Sequence, residues 1–180
     1  ALKPQDIIFS QYREFGVLLY RGFTVQQAAD QCFSNIMDLG KGKQMPVHYG
    51  SKELNFQTIS SPLTTQLPHA AGAAYALKMS KANAVTACYF GDGAASEGDF
   101  HAALGFASTL QVPCLFICRN NGYAISTPLK DQYRGDGIVS RASGYGMLHI
   151  RVDGNDILAC HQAIAEARRV AIEQSRPVLI

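Results

Sequence analysis

Apolar residues recur along the chain at two different periods, and the switching between them outlines the fold. Ile8, Tyr12, Phe15 and Leu19 fall at helical spacing, which predicts a helix over residues 5–20. Thr24 then caps a second helical pattern that runs to about Asp38. Over residues 65–80 the run Ala70-Ala-Gly-Ala-Ala-Tyr-Ala76 predicts a helix whose small side chains allow close packing. Residues 85–90, 113–118, 149–152 and the segment from Pro177 onward are short apolar runs that read as strands. Between them lie a helix over 98–110 and another from Ile157 to about Gln174, with its apolar stripe on Ile157, Cys160, Ile164, Ala167 and Ala171. Continuous apolar strands alternating with helices predict an α/β fold, a parallel sheet covered by helices on both faces. No linker, repeat or low-complexity tract divides it, so residues 1–180 read as a single domain. The closing Arg176-Pro-Val-Leu-Ile180 reads as a buried strand, and the chain is expected to be truncated at its carboxyl terminus and at its amino terminus.

Composition narrows the class. With 47% hydrophobic and 17% charged residues, the chain is neither disordered nor collagen-like. At 180 residues it buries about 70% of the surface of its unfolded state, so its core needs no disulfides. Sixteen Lys and Arg against fourteen Asp and Glu leave a net charge of +2, too little to steer the chain toward nucleic acid or an anionic membrane. Any anion site must be local. The five cysteines form no C-x-x-C pair and three of them lie in predicted strands, which fits a reducing compartment. No apolar stretch approaches the roughly 18–20 residues of a membrane span, and the first residues lack the pattern of a signal peptide.

Residues 40–64 are rich in Gly, Pro, Ser and Thr, a long irregular stretch of the kind that is functional or disordered. In open parallel sheets, ligands bind beyond the carboxyl ends of the strands. One such end is Gly91-Asp92-Gly93-Ala94-Ala95-Ser96, where two glycines allow a sharp turn and Asp92 offers a hard anionic oxygen. The next is Arg119-Asn120-Asn121-Gly122-Tyr123, with a cation and amide oxygens. If the two strands are neighbours, Asp92 and Asn121 converge. A carboxylate and an amide oxygen suit Mg²⁺ when phosphate oxygens complete its shell. The turn and the helix after it supply backbone N–H groups, and Arg119 a charge-assisted hydrogen bond, to a diphosphate. Each turn taken alone is also explained by the backbone tolerance of Gly and Asn. A dinucleotide fold is the rival reading of Gly91-x-Gly93-x-x-Ser96. It requires an acid about 20 residues on, and none occurs between Asp99 and Asp131.

Gly-Asp-Gly followed, somewhat under thirty residues later, by Asn-Asn resembles the thiamine-diphosphate fingerprint. More narrowly, Gln44-Met-Pro-Val-His-Tyr-Gly50, Ile59-Ser-Ser-Pro-Leu63, Gly91-Asp-Gly-Ala-Ala-Ser-Glu-Gly-Asp99, Arg119-Asn-Asn-Gly-Tyr-Ala-Ile-Ser-Thr-Pro128 and Tyr133-Arg-Gly-Asp-Gly137 resemble the alpha subunits of branched-chain 2-oxo acid dehydrogenases. The likeness covers the whole chain. Ala-Ser-Glu-Gly in place of Ala-Asn-Gln-Gly separates it from the pyruvate dehydrogenase alpha subunits, the alternative within the same fold. The resemblance implies a thiamine-diphosphate-binding fold in which Asp92, Asn121 and the Tyr123 carbonyl bind Mg²⁺. It implies that Tyr12, Arg13 and Arg119 hold the diphosphate, with Gly93 and Ala94 beside it. Ser61 and Leu63 would meet the aminopyrimidine, and Gln11 would border the substrate pocket. Ser60, Pro62, Thr65 and Gln66 would coordinate K⁺. The implied activity is oxidative decarboxylation of branched 2-oxo acids with acyl transfer to a lipoyl group, in the mitochondrial matrix. It implies a beta subunit in an α2β2 assembly, a lipoyl-bearing acyltransferase core, and inactivity of this chain alone, since the activating carboxylate comes from the beta subunit and a phosphate-binding His and a regulatory Ser lie beyond Ile180. A non-catalytic partner-binding domain of the same fold is the reading from another class.

Other features have ordinary explanations. Arg134-Gly-Asp136 reads as a turn, and Asp153-Gly-Asn-Asp156 as a strand-to-helix turn ending in a helix cap. The five histidines show no metal-binding spacing; His48 and His101 could lie near the candidate site but belong to no motif of their own. Arg168 and Arg169 read as an exposed helix face.

Overall fold

A computed structural model describes all 180 residues. In chain order the elements are β1 (Ile7–Phe9), a 3-10 turn (Tyr12–Glu14), α1 (Phe15–Tyr20), α2 (Val25–Cys32), α3 (Gln66–Met79), β2 (Thr86–Gly91), a second 3-10 turn (Ala94–Ser96) and α4 (Gly98–Leu110). There follow β3 (Cys114–Arg119), β4 (Tyr123–Ala124), β5 (Thr127–Pro128), α5 (Leu129–Gln132), α6 (Arg141–Gly144), β6 (Leu148–His149), α7 (Ile157–Gln174) and β7 (Val178–Leu179). Five strands form one sheet in the order β1-β2-β3-β7-β6, and every pairing in it is parallel. β4 and β5 make a separate small antiparallel hairpin.

Side chains alternate across the central strands, as a period of two demands. Cys88 and Phe90 of β2 and Cys114 and Phe116 of β3 face one layer, where they bury Leu67, Ala70 and Ala74 of α3 and Phe100, Ala103 and Leu104 of α4. Val85 and Ala87, with Leu115 and Ile117, face the other, against Leu18, Ala28, and Ala167 and Ala171 of α7. Both faces are thus covered, as the unbroken apolar strands predict. α3 and α4 have the alanine-rich faces that let two helices sit side by side on one sheet.

Three predicted elements differ. Ile8 belongs to a strand, not to a helix over 5–20. Ile7, Ile8 and Phe9 pair with Thr86, Ala87 and Cys88, and helical structure begins only at Tyr12. The 4-3-4 spacing of four apolar residues mimicked a helix; a β-branched and aromatic triplet with a partner strand beside it overrode that periodicity. The Thr24 cap forms as expected, with Gln27 completing a capping box, but α2 ends at Cys32 rather than near Asp38. Asn35 closes back on Asp30 through its backbone N–H to the Asp30 carbonyl (2.8 Å) and its side-chain amide to the Asp30 carboxylate (2.8 Å). Finally, Arg168 is not an exposed charge. It pairs with the buried Asp6 at 2.8 Å, while Arg169 lies on the surface between Glu166 and Glu173.

Candidate functional site

Because β1, β2 and β3 are parallel neighbours, their carboxyl ends open onto one edge of the sheet. Residues 10–14, 92–96 and 120–123 meet there. Asp92, one residue past β2, is buried. The Asn121 backbone N–H donates to Asp92 Oδ1 at 3.3 Å, so the two residues singled out by spacing do converge. Gln132 Nε2 donates to the other carboxylate oxygen at 3.1 Å, and the Tyr133 hydroxyl donates to the Asp92 carbonyl. Two Asx turns shape the second strand end: Gly122 N–H donates to Asn120 Oδ1 and Tyr123 N–H to Asn121 Oδ1, each at 3.0 Å.

The cationic side of the edge comes from β1. A Cβ on Gly91 would lie 3.0 Å from Arg13 Nη2, so it is the missing side chain that lets the guanidinium rest against the end of β2. Arg13 Nε donates to Glu14 Oε1 at 2.9 Å, and Gln11 Nε2 donates to both Glu14 oxygens at 3.1 and 3.3 Å. Glu14 is buried. It therefore fixes two of the candidate residues at once. Arg119 is exposed and makes no ion pair. In the turn after β2 the Ser96 and Glu97 amides are used internally, whereas that of Gly93 finds no acceptor within the protein. A Cβ on Gly93 would lie 2.8 Å from the Ala124 Cβ, because the β4–β5 hairpin packs directly on this turn. Burial, aided by the Asp92 charge and opposed by Arg13, pushes the Cys118 thiol up to about 12, so it stays protonated and inert.

The long loop approaches from the side of Tyr12. Ser61 Oγ lies 2.6 Å from His48 Nε2, and His48 Nδ1 lies 2.9 Å from the Pro46 carbonyl. A carbonyl only accepts, so in the neutral ring Nδ1 carries the proton and Nε2 accepts from the Ser61 hydroxyl. The proton of Ser61 is thereby committed, and its remaining capacity is to accept. The His48 ring centroid is 6.0 Å from that of Tyr12. Leu63 is exposed. Ser60 and Gln66 line a cleft of about 400 Å³, Thr65 Oγ1 donates to the Pro62 carbonyl at 3.3 Å, and Gln66 Nε2 donates to the Tyr89 carbonyl at 3.0 Å, which leaves its Oε1 free. A cavity of about 640 Å³ lies elsewhere, between the amino-terminal residues, α1 and α7, and is mostly apolar. No group of three or more His, Cys, Asp or Glu gathers anywhere, so a cation at the strand ends must draw on amide and carbonyl oxygens and on a ligand's own oxygens.

Sequence reasoning missed Glu14 and Gln132 and gave His48 no role. Glu14 announced itself only as an acid inside an apolar stretch. Gln132 carries no local signal, since its contact is with a residue 40 positions away.

The family model described as Dehydrogenase E1 component matches residues 1–180. The chain belongs to that family. This E1 component chain is 61% identical over its whole length to 2-oxoisovalerate dehydrogenase subunit alpha 2, mitochondrial, of Arabidopsis thaliana, and covers 38% of it. It is 61% identical to the Homo sapiens 2-oxoisovalerate dehydrogenase subunit alpha, covering 40%, and 62% identical to that of Caenorhabditis elegans, covering 42%. The chain thus spans about two fifths of the length of these relatives. A solved transketolase from Pichia stipitis matches 98% of this chain, and 28% of its own, with a TM-score of 0.74 at 21% identity, so the two share a fold.

Proposed function

We propose that this E1 component chain is the cofactor-holding part of a mitochondrial 2-oxo acid dehydrogenase alpha subunit. It acts on the branched acid 3-methyl-2-oxobutanoate and passes the acyl group to a lipoyl arm. The observation that carries this reading is the convergence of Asp92 and Asn121 at the ends of paired parallel strands, in a chain 61% identical to proteins named for 2-oxoisovalerate. The donor set fits thiamine diphosphate with Mg²⁺. A buried carboxylate oxygen, the Asn121 side-chain amide and the Tyr123 carbonyl are hard oxygen ligands of the kind Mg²⁺ accepts alongside phosphate oxygens. The unsatisfied Gly93 amide, with Ala94 beside it, Arg13 held on Gly91, and the unpaired Arg119 are donors for a diphosphate.

When bound, thiamine diphosphate supplies the electron sink that decarboxylation of a 2-oxo acid needs. The chain's own residues do the placing. Asp92, Asn121 and Tyr123 fix the metal, and Tyr12, Arg13 and Arg119 fix the diphosphate. Ser61, its proton committed to His48, presents an acceptor oxygen to the amino group of the aminopyrimidine, with Leu63 beside it. Gln11 borders the substrate. Ser60, Pro62, Thr65 and Gln66 hold a K⁺ ion that stiffens the loop carrying Ser61. A beta subunit, in an α2β2 assembly docked on the acyltransferase core, completes the site.

The test is turnover of 3-methyl-2-oxobutanoate and of pyruvate by the full-length chain co-expressed with its beta partner, with and without thiamine diphosphate and Mg²⁺. Cofactor-dependent turnover favouring the branched acid is expected. Preference for pyruvate would overturn the substrate assignment, and a folded complex with no turnover would overturn the enzyme.

A further inference from the structure

We propose that Gln132 is a positioning residue of the metal site, acting on Asp92 through the N–H end of its amide; the inference rests on the cofactor reading above. Gln132 Nε2 donates to Asp92 Oδ2 at 3.1 Å and to the Thr127 carbonyl at 3.2 Å. Both partners are acceptors, so the amide can be oriented only one way round. That orientation leaves Gln132 Oε1 buried with no hydrogen-bond partner, one of only two such side-chain atoms in the molecule. An unsatisfied buried oxygen costs free energy unless something donates to it.

That cost is carried by a side chain whose backbone is held firmly. Tyr133, the next residue, donates its hydroxyl to the Asp92 carbonyl, and the Arg141 guanidinium stacks on the Tyr133 ring at 4.7 Å. Leu129 N–H is tied to the Gly122 carbonyl at 2.9 Å, which joins α5 to the loop bearing Asn121 and Tyr123. Gln132 thus turns the Asp92 carboxylate with its N–H, and its amide is kept in that orientation by the Thr127 carbonyl. Groups that orient a metal's ligands in this way are worth about 10- to 100-fold in metal affinity.

The experiment uses the full-length chain in complex with its beta partner and loaded with thiamine diphosphate. Mn²⁺ serves as the metal, and the electron paramagnetic resonance signal of free Mn²⁺ reports its dissociation constant. Gln132→Met keeps length and volume but removes both polar ends. Gln132→Asn keeps the amide one methylene too short, and stands in if the first variant does not fold. Either is expected to weaken Mn²⁺ binding by about 10-fold or more, with the melting temperature of the metal-free complex unchanged. Affinity within about twofold of the parent in either folded variant overturns the proposal. So does a loss of affinity that merely follows a lowered metal-free melting temperature, which would make Gln132 a structural tie. Failure of the parent complex itself to bind Mn²⁺ with thiamine diphosphate would instead sink the cofactor reading.

Discussion

Asp6 is the buried anchor that places β1, and cutting its ion pair tests how much that placement is worth. The Asp6 side chain is fully buried, yet it accepts four hydrogen bonds: from Lys3 N–H (2.6 Å), Val85 N–H (3.1 Å), and Arg168 Nε (2.8 Å) and Nη2 (3.0 Å). Arg168→Met keeps the aliphatic stem and deletes both charged donors. Removing one partner of a buried pair costs about 3–5 kcal/mol. The two backbone donors that remain put the expected cost near the lower bound, about 3 kcal/mol. At roughly 2 °C per kcal/mol, the melting temperature should fall by about 6 °C. Scanning calorimetry of the full-length chain in its complex reads this out. Adding Asp6→Asn removes the stranded charge, so the double variant should recover about 1 kcal/mol relative to Arg168→Met alone. A fall under about 2 °C, or a double variant no more stable than the single one, refutes the argument.

Three further outcomes follow from the site and core. His48→Ala removes the acceptor of the Ser61 hydroxyl and the ring beside Tyr12, and should weaken thiamine diphosphate binding by roughly 2- to 10-fold, the worth of one net hydrogen bond; an unchanged dissociation constant in calorimetric titration would contradict it. Gly93→Ala drives a methyl into Ala124, and should cost about 1–3 kcal/mol. Gly105→Ala, inside α4 with its nearest neighbour 4.0 Å away, should gain about 0.5–1 kcal/mol; melting curves that reverse this order would refute the packing. Burial pushes the thiols of Cys114 and Cys118 up to about 12 from an ordinary 9.0. Above pH 9 the unfolded chain sheds protons that the folded chain keeps, so stability falls from about pH 9 to 12, and iodoacetamide at pH 8 should label the exposed Cys32 before either. Equal labelling of Cys118 would show that the strand end opens.

What could be read from the sequence was what rests on local pattern. The runs around β2 and β3 are apolar on both faces, and that by itself implies helices on both sides of a parallel sheet. Once those strands are consecutive neighbours, Asp92 and Asn121 have nowhere to go but the same edge, which is why their meeting was legible from spacing. β1 was not legible, because a three-residue strand has too little period to outweigh an accidental helical spacing, and its identity comes from pairing with Thr86, Ala87 and Cys88. Arg168 looked like a surface charge because its partner, Asp6, lies 162 residues away. Gln132 and His48 were hidden for the same reason: their roles exist only once the chain has folded back on Asp92 and Ser61.

The electrostatics of the strand ends bear on the proposed function, because they suit neither a lone anion nor a lone cation. Arg13, Arg119 and the free amide of Gly93 invite an anion, but the Asp92 carboxylate stands among them and repels it. A cation drawn to Asp92 meets two guanidinium groups and too few oxygens to replace its water. Glu14 sharpens the conflict by holding Arg13 in place rather than letting it swing onto Asp92 and cancel the charge. Asp92 is in turn kept from protein cations by neutral donors, Asn121 N–H and the Gln132 amide, which orient the carboxylate without neutralising it. On the proposed function, a divalent ion bridged to phosphate oxygens would satisfy Asp92 and Arg119 together, which neither ion does alone.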